Sequence, residues 1–204
     1  MTRDNTQRDI IQRDTTQMRG KMQTRSSPAE FRAVDGDEKR IEGYFAVFSS
    51  TYELWPGATE SVDPGAFDGA LSDDIRALVD HETRLVLGRT KAGTLELKTD
   101  SHGLWGSIKI NDLDSDAMNL YARIQRGDVT QCSFGFDILS ERTDIDGDKI
   151  HWTIEKVRLY EVSCVTFPAY EDTSISTRKR DAQEIAMRAL VQWRETQKAR
   201  LPYA

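Results

Sequence analysis

Cysteine and histidine are scarce in this chain of 204 residues. Two cysteines cannot build the disulfide framework of a small secreted domain, so a reducing compartment is expected. Three histidines, scattered along the chain together with those cysteines, do not show the spacing of a zinc site. We therefore expect no metal and no other cofactor.

Long apolar runs are also missing. No stretch approaches the roughly 20 apolar residues that span a membrane, and no apolar segment follows the N-terminus as in a cleaved export signal. We expect a soluble protein with no membrane partner. The hydrophobic residues, at 38%, are enough for one core, and the length fits one domain with tails.

Basic charge is concentrated at the two ends of the chain. Residues 1–26 carry six basic and three acidic side chains, and residues 176–204 carry seven and three. The overall net charge is -6, so residues 27–175 have a net charge of -13. Basic ends on an acidic body are compatible with an acidic partner, such as a scaffold protein or, less favoured, nucleic acid. Solvated tails that bind nothing are the alternative.

Composition divides the chain into three segments. The polar arm 1–28 has too few apolar residues to offset its ordering entropy, so disorder or a marginal helix is expected. Residues 29–175 form a strand-rich body. Residues 176–204 form a basic amphipathic helix, whose apolar stripe requires a partner surface. The body of the chain is the commonest partner, and a second copy or another protein are the alternatives. The stripe comprises Ile185, Ala186, Ala189, Leu190 and Trp193.

Many short strand patterns and two helical ones predict the fold class α+β. One helix is expected to start at Asp63 with Pro64 in its first turn, and another to cover residues 114–126. Turn residues at 100–103 and 144–148 predict two hairpins. We expect a β-barrel or a strongly bent, mostly antiparallel sheet with flanking helices.

The candidate chemistry centres on Ser133. Side chains alternate between the two faces of a strand, so Cys132 and Phe134 share a core-like face while Ser133 lies on the opposite one. By the same rule, Glu161 and Ser163 share the more polar face of a later strand. A site between the two strands is therefore compatible with both Ser133 and Glu161.

One histidine, His81, can supply the base that a serine nucleophile requires. A serine hydroxyl needs a base to take its proton, histidine titrates near neutral pH, and a carboxylate can orient the imidazole. His81, Ser133 and Glu161 therefore predict a serine hydrolase.

Each of these residues also has a structural alternative. A serine in a strand is usually structural, a histidine at a strand end is usually exposed, and Glu161 could pair with Arg158. The other histidines, His102 and His151, lie in hairpins and are expected at the surface.

The chain resembles the prohead (capsid maturation) serine proteases of tailed bacteriophages, of the HK97 type. The similarity covers roughly residues 40–172, and its force comes from several short motifs in a common order. These are GYFAVF at 43–48, ESVDPGAF at 60–67, DHE at 80–82, LG at 87–88, GL at 103–104, CSFGF at 132–136, EVSCV at 161–165 and PAY at 168–170.

The resemblance implies a fold related to the herpesvirus assembly proteases, which have a β-barrel surrounded by helices and a Ser-His-His triad. Carried over by motif, Ser133 is the nucleophile, His81 the base, and Glu161 stands where those enzymes have the second histidine. The resemblance also implies a place inside the immature capsid in the host cytoplasm. The implied substrates are the major capsid protein, a scaffold segment and the protease itself. Self-association, which activates the herpesvirus enzymes, is left open.

Two rival functions remain at the level of sequence. The first is a non-enzymatic capsid assembly chaperone or scaffold protein, which keeps the fold and binds through its tails. The second is an enzyme with Cys132 or Cys164 as a thiol nucleophile, although strand alternation disfavours Cys132.

Overall fold

The computed structural model describes residues 9–12, 22–27, 31–167 and 172–200. The chain divides into two compact units, residues 1–169 and residues 170–204. Within the described residues, neither helix combines the length and apolar character that a membrane span requires.

The first unit contains a large sheet of eight strands. Its main path runs β1-β11-β12-β6-β5, with β2 beside β11, and with β7 between β12 and β8. The strands are β1 (Asp9–Gln12), β2 (Gln23–Ser27), β5 (Tyr52–Trp55), β6 (Ala58–Val62), β7 (Arg76–Val79), β8 (Glu82–Arg89), β11 (Gln131–Asp146) and β12 (Lys149–Val165).

A second sheet has four strands in the order β3-β4-β10-β9. These are β3 (Phe31–Val34), β4 (Arg40–Val47), β9 (Leu95–Thr99) and β10 (Gly103–Lys109). All of its pairings are antiparallel. In the large sheet only β6 and β7 run parallel to their neighbour β12.

The fold class α+β is confirmed, but the barrel alternative is wrong for the residues that the structure describes. Two separate, mostly antiparallel sheets are present, and neither closes on itself. In the large sheet β5 ends the path, and β12 accommodates β6 and β7 at different points along its length. Sheet closure depends on strand tilt and stagger, which alternation of side chains does not encode.

Helix α1 (Ser115–Arg126) matches the predicted helix over 114–126. It begins because the carboxylate of Asp114 accepts hydrogen bonds from the backbone N–H groups of Asp116 and Ala117. It ends because Gly127 adopts φ 87, the left-handed conformation favoured at helix C-termini. The helix predicted to start at Asp63 is instead a run of turns that ends in a short 3-10 helix, Ala70–Ser72.

Strands β11 and β12 form one long hairpin, which the sequence suggested only in pieces. The turn lies between Asp146 and Lys149, as expected from the acidic loop. Strand register shifts after Gly135 and on both sides of Ser140. These bulges let each strand continue while changing direction, so β12 is a single strand over Lys149–Val165.

Two described segments of the N-terminal arm, residues 9–12 and 22–27, depart from its prediction. Disorder or a marginal helix is expected for residues 1–28, yet β1 and β2 both pair antiparallel with β11. Backbone hydrogen bonds along the edge of a long strand need no apolar side chains. The composition argument does not account for that source of order.

One hydrophobic core joins both sheets and α1. It includes Ile41 and Phe45 of β4, Leu120 of α1, and Phe134 and Phe136 of β11. The rings of Phe134 and Phe136 stack with centroids 4.7 Å apart. Each such side chain contributes about 1.5–3 kcal/mol relative to an exposed one, so this face of β11 is committed to packing.

The second unit is the helix α2 (Asp172–Arg200). The helix predicted over residues 176–204 is present as far as Arg200, and residues 201–204 lie outside the described residues. Of the apolar stripe, Ile185 is buried, whereas Leu190 and Trp193 are 42% and 59% exposed.

Candidate active site

His81 lies in a strained two-residue turn between β7 and β8. Val79 pairs with Glu82, and the two residues between them, Asp80 and His81, have φ values of 47 and 61. Turns of this kind suit the twist of a hairpin but favour Asn-Gly. A non-glycine residue at positive φ costs about 1–3 kcal/mol, and such strain often marks a functional site.

Asp80 anchors this turn to the end of β12. Its backbone N–H donates to the carbonyl oxygen of Cys164 at 3.0 Å. Its carboxylate accepts from the backbone N–H of Thr166 at 2.7 Å and from the Thr166 hydroxyl at 3.1 Å. The turn is therefore held against the strand that carries Glu161.

The imidazole of His81 contacts Glu161 directly. His81 Nδ1 and Glu161 Oε1 are 2.7 Å apart, and the Glu161 side chain is only 4% exposed. A carboxylate at this position favours the tautomer with a proton on Nδ1. His81 Nε2 is buried and has no hydrogen-bond partner in the structure, so its lone pair is left to accept a proton.

Ser163 fixes the other carboxylate oxygen. Its hydroxyl donates to Glu161 Oε2 at 2.5 Å and accepts a hydrogen bond from the backbone N–H of His81 at 3.3 Å. Ser163 was assigned to the face of Glu161 by strand alternation but to no function. Only the fold shows that it connects the carboxylate to the histidine turn.

Gly135 makes room for Glu161. The two residues are paired across β11 and β12, and a Cβ on Gly135 would lie 2.2 Å from Glu161 Oε1. Any side chain here would collide with the carboxylate that contacts His81. Sequence alternation placed Gly135 on the face of Ser133 without revealing this requirement.

Ser133 lies on the same face of β11 as Gly135, at the next position of the side-chain alternation. It pairs with Ser163 across the two strands, and directly opposed side chains in a sheet are neighbours. Ser133 is fully buried. Its hydroxyl donates to the carbonyl oxygen of Arg25 in β2 at 3.0 Å. No hydrogen bond joins Ser133 to His81 among the described residues.

The structure thus brings two of the three predicted residues into contact and places the third beside them. His81 and Glu161 form a hydrogen-bonded pair, and Ser133 neighbours Ser163, which contacts both. Among the described residues, no hydrogen bond or ion pair joins Glu161 to Arg158, whose register partner across the two strands is Asp137.

The two cysteines are unsuited to nucleophilic chemistry. Cys132 and Cys164 are fully buried and paired with each other across β11 and β12, as free thiols. Burial raises the pKa of Cys132 well above its usual value and raises that of Cys164 to about 12. A thiol nucleophile must ionise, so this chemistry disfavours the thiol rival at both positions.

The remaining histidines have other surroundings. His102 is exposed and its ring packs edge-on against Tyr44. His151 is half-buried, with its ring nitrogens 2.8 Å from the hydroxyls of Thr59 and Ser61. In the described part of the chain, no three His, Cys, Asp or Glu side chains are grouped as metal ligands.

Comparison with known proteins adds a family assignment. The family model described as caudovirus prohead serine protease matches residues 27–188, which is most of the chain. The chain belongs to this family, as its motifs indicate. Neither the curated proteins nor the solved structures contain a match.

Proposed function

We propose that this member of the caudovirus prohead serine protease family is a serine endopeptidase, in which Ser133 is the nucleophile, His81 the base and Glu161 the residue that orients the base. The observation that carries this proposal is the hydrogen bond from His81 Nδ1 to Glu161 Oε1 at 2.7 Å. This bond leaves Nε2 without a hydrogen-bond partner among the described residues, and Ser133 pairs across the strands with Ser163, which contacts both Glu161 and the backbone of His81.

The chemistry follows from these positions. Ser133 Oγ attacks the scissile carbonyl carbon while His81 Nε2 takes its proton, and Glu161 stabilises the imidazolium that forms. The imidazolium then protonates the leaving amine, the C–N bond breaks, and an acyl-enzyme remains on Ser133. Water, deprotonated by Nε2, hydrolyses the ester and restores the serine. None of these steps uses a metal or cofactor.

One local change accompanies this reaction. The Ser133 hydroxyl donates to a backbone carbonyl, so proton transfer requires that it turn toward His81 Nε2. Catalytic hydrogen bonds are often loose in free enzymes and tighten when substrate binds.

The family supports a role in prohead maturation. We infer that the substrates are segments of the scaffold or of the major capsid protein, together with the protease itself, inside the immature capsid. The basic arm and helix α2 are candidates for docking or for self-removal. The relation of the fold to herpesvirus assembly proteases and activation by self-association stay predictions.

Coexpression with the cognate capsid protein tests the nucleophile. We expect Ser133→Ala to reduce capsid-protein cleavage by more than about 1,000-fold, as for other catalytic serines, measured by gel and mass spectrometry. The matched control is Ser140→Ala on the same strand, beyond the residues of the candidate site, which removes a hydrogen bond to Glu155 and should leave cleavage intact.

The same experiment distinguishes a protease from the alternative, a non-enzymatic capsid assembly protein. If Ser133→Ala forms particles whose capsid protein stays uncleaved, the protease assignment holds. If cleavage continues at the wild-type rate in this variant, Ser133 is not the nucleophile. The full burial of Ser133 is the observation that favours the rival, since a substrate must displace whatever covers it.

A further inference from the structure

We propose that β2 occupies the active site as a substrate strand in cis, that it presents the Arg25–Ser26 peptide bond to Ser133, and that Glu60 is the residue that selects a basic side chain on the amino side of the cleaved bond. This inference rests on the proposed function. It names the substrate class, an extended segment with arginine or lysine before the bond.

The first support is the register of β2. It runs antiparallel along β11 with Ser26 opposite Ser133 and Arg25 opposite Phe134. The other edge of β11 is occupied by β12 in the same stretch. A peptide that reached Ser133 by strand addition, a common mode of peptide recognition, would have to take the place of β2.

The second support is the contact of the nucleophile itself. Ser133 Oγ is 3.0 Å from the carbonyl oxygen of Arg25, which is the carbonyl of the Arg25–Ser26 peptide bond. The carbon that Oγ would attack is bonded to this oxygen, and attack requires an approach of about 3–3.5 Å between Oγ and that carbon. No other carbonyl among the described residues is hydrogen-bonded to this hydroxyl.

The third support is the pocket around the Arg25 side chain. The guanidinium donates to both carboxylate oxygens of Glu60, with Nη2 to Oε2 at 3.0 Å. It also lies 5.7 Å from the centre of the Phe136 ring. The Glu60 side chain is 1% exposed and that of Arg25 is 11% exposed. Two parallel hydrogen bonds from a planar guanidinium favour arginine, and the negative charge of the buried Glu60 attracts either basic side chain.

The strand has the character of a bound peptide rather than of a permanent sheet member. Its sequence, QTRSS, has no apolar side chain, so Arg25 and the backbone hold it. The Thr24 hydroxyl is buried without a hydrogen-bond partner, which costs free energy in a lasting structure. The family match begins at residue 27, so Arg25 and Ser26 lie outside the matched region.

The reaction in cis follows the steps already given. Ser133 Oγ bonds to the carbonyl carbon of Arg25, the bond to the Ser26 nitrogen breaks, and His81 Nε2 passes its proton to that nitrogen. Water then releases Arg25 as a carboxylate. Until β2 is cut or displaced, it prevents a capsid-protein segment from pairing with β11.

Intact-mass measurements on the full-length protein and its variants test the inference in cis. Intact-mass analysis of the purified chain should reveal a product that begins at Ser26, absent in Ser133→Ala. Arg25→Lys should retain this cut, and Arg25→Ala should slow it at least about 10-fold, whereas Arg32→Ala, the loss of a nearby exposed arginine, should not affect it.

A quenched fluorescent peptide of residues 21–30 then tests Glu60 in trans. We expect the wild type to cleave it after arginine with kcat/KM at least about 10-fold above that for the peptide with alanine at that place. Glu60→Gln should abolish this preference, and Glu53→Gln, at an exposed position of β5, should retain it. Far-ultraviolet circular dichroism verifies folding, and the Arg25 variants keep the test valid if Glu60→Gln does not fold.

The outcomes distinguish the two proposals. If capsid protein is cleaved in a Ser133-dependent way but the chain is not cut after Arg25, or Arg25→Ala is cut as fast as wild type, the inference fails and the proposed function stands. If both peptides are cleaved equally by the wild type, Glu60 does not select the basic residue. If Ser133→Ala still cleaves the capsid protein, the proposed function is wrong, and the inference that rests on it is wrong as well.

Discussion

Glu161 is surrounded by groups that leave its carboxylate little freedom. One oxygen contacts His81 and the other accepts from Ser163, while Gly135 lies against it on the neighbouring strand. A buried carboxylate is costly unless such partners are present. The same hydrogen bonds join the carboxylate to the imidazole of His81, so the contacts that stabilise Glu161 also serve its proposed role of orienting the base.

The position of the Glu161 carboxylate depends most strictly on the absence of a side chain at Gly135. In Gly135→Ala, the new Cβ would overlap Glu161 Oε1, so the carboxylate must move away from His81. We expect a stability loss of about 1–3 kcal/mol from overpacking, and about 100-fold slower cleavage because misplacement of catalytic groups is that costly. Capsid-protein processing and urea unfolding measure the two effects.

A matched glycine provides the control for this variant. Gly36 is exposed and a Cβ there meets only the carbonyl oxygen of Glu38 at 3.7 Å, an ordinary contact, so Gly36→Ala should change neither quantity. Cleavage at the wild-type rate in Gly135→Ala would show that the position of Glu161 does not limit the reaction.

At the scale of elements, the β7–β8 turn positions His81, the proposed base. Its two central residues have positive φ, and the side chain of Asp80 bonds to Thr166 just beyond β12. Strain in the backbone is thus balanced by contacts with the neighbouring strand. The base is supported by a short turn between two strands instead of a long loop, which limits its motion.

Removal of the Asp80 anchor should loosen this turn. Aspartate tolerates positive φ better than alanine does, and its carboxylate makes two hydrogen bonds, so we expect Asp80→Ala to destabilise the fold by about 1–2 kcal/mol. Cleavage should slow as well, because His81 follows in the same turn. Urea unfolding and the processing assay are the measurements.

Asp112→Ala, at an exposed position before α1, is the comparison for this loss of an aspartate. Equal stability of the Asp80 and Asp112 variants would mean that the anchor contributes nothing to the turn.

At the scale of the whole molecule, the long strand pair separates two environments. The phenylalanines and both cysteines of β11 and β12 are directed into the core, whereas Ser133, Glu161 and Ser163 lie on the opposite face. Chemistry and packing therefore use different faces of the same two strands. This separation explains how a buried hydrophobic sheet can carry a polar constellation.

Labelling of the two thiols should require unfolding of the protein and should not affect its proteolytic activity. Burial raises the pKa of Cys132 well above its usual value and that of Cys164 to about 12, so both thiols stay protonated in the folded protein at mildly alkaline pH. We expect iodoacetamide at mildly alkaline pH to leave both cysteines unlabelled and cleavage unchanged, as measured by mass spectrometry and the processing assay. In concentrated guanidinium both should react. Inhibition of the native enzyme would instead support a thiol nucleophile.

Much of the fold was predictable because local rules govern it. The cap at Asp114, the turn glycine at 127 and the polar residues of the β11–β12 turn act within a few residues, and α1 and both hairpins appear as expected. The arm was not predictable in this way. Its two described strands, β1 and β2, depend on pairing with β11, more than a hundred residues away, and composition is insensitive to such pairing.

For the site, the sequence by itself determined which residue types are available and which face of each strand they occupy. Alternation with period two separated Ser133 from Cys132 and Phe134, and motif order selected His81 among three histidines. Only the tertiary structure decided that Glu161 contacts His81, that Ser163 and Gly135 position it, and that Arg25 lies against Ser133. The physical reason is that strand register and turn geometry are properties of the assembled sheet, and these bring together residues that are distant in the chain.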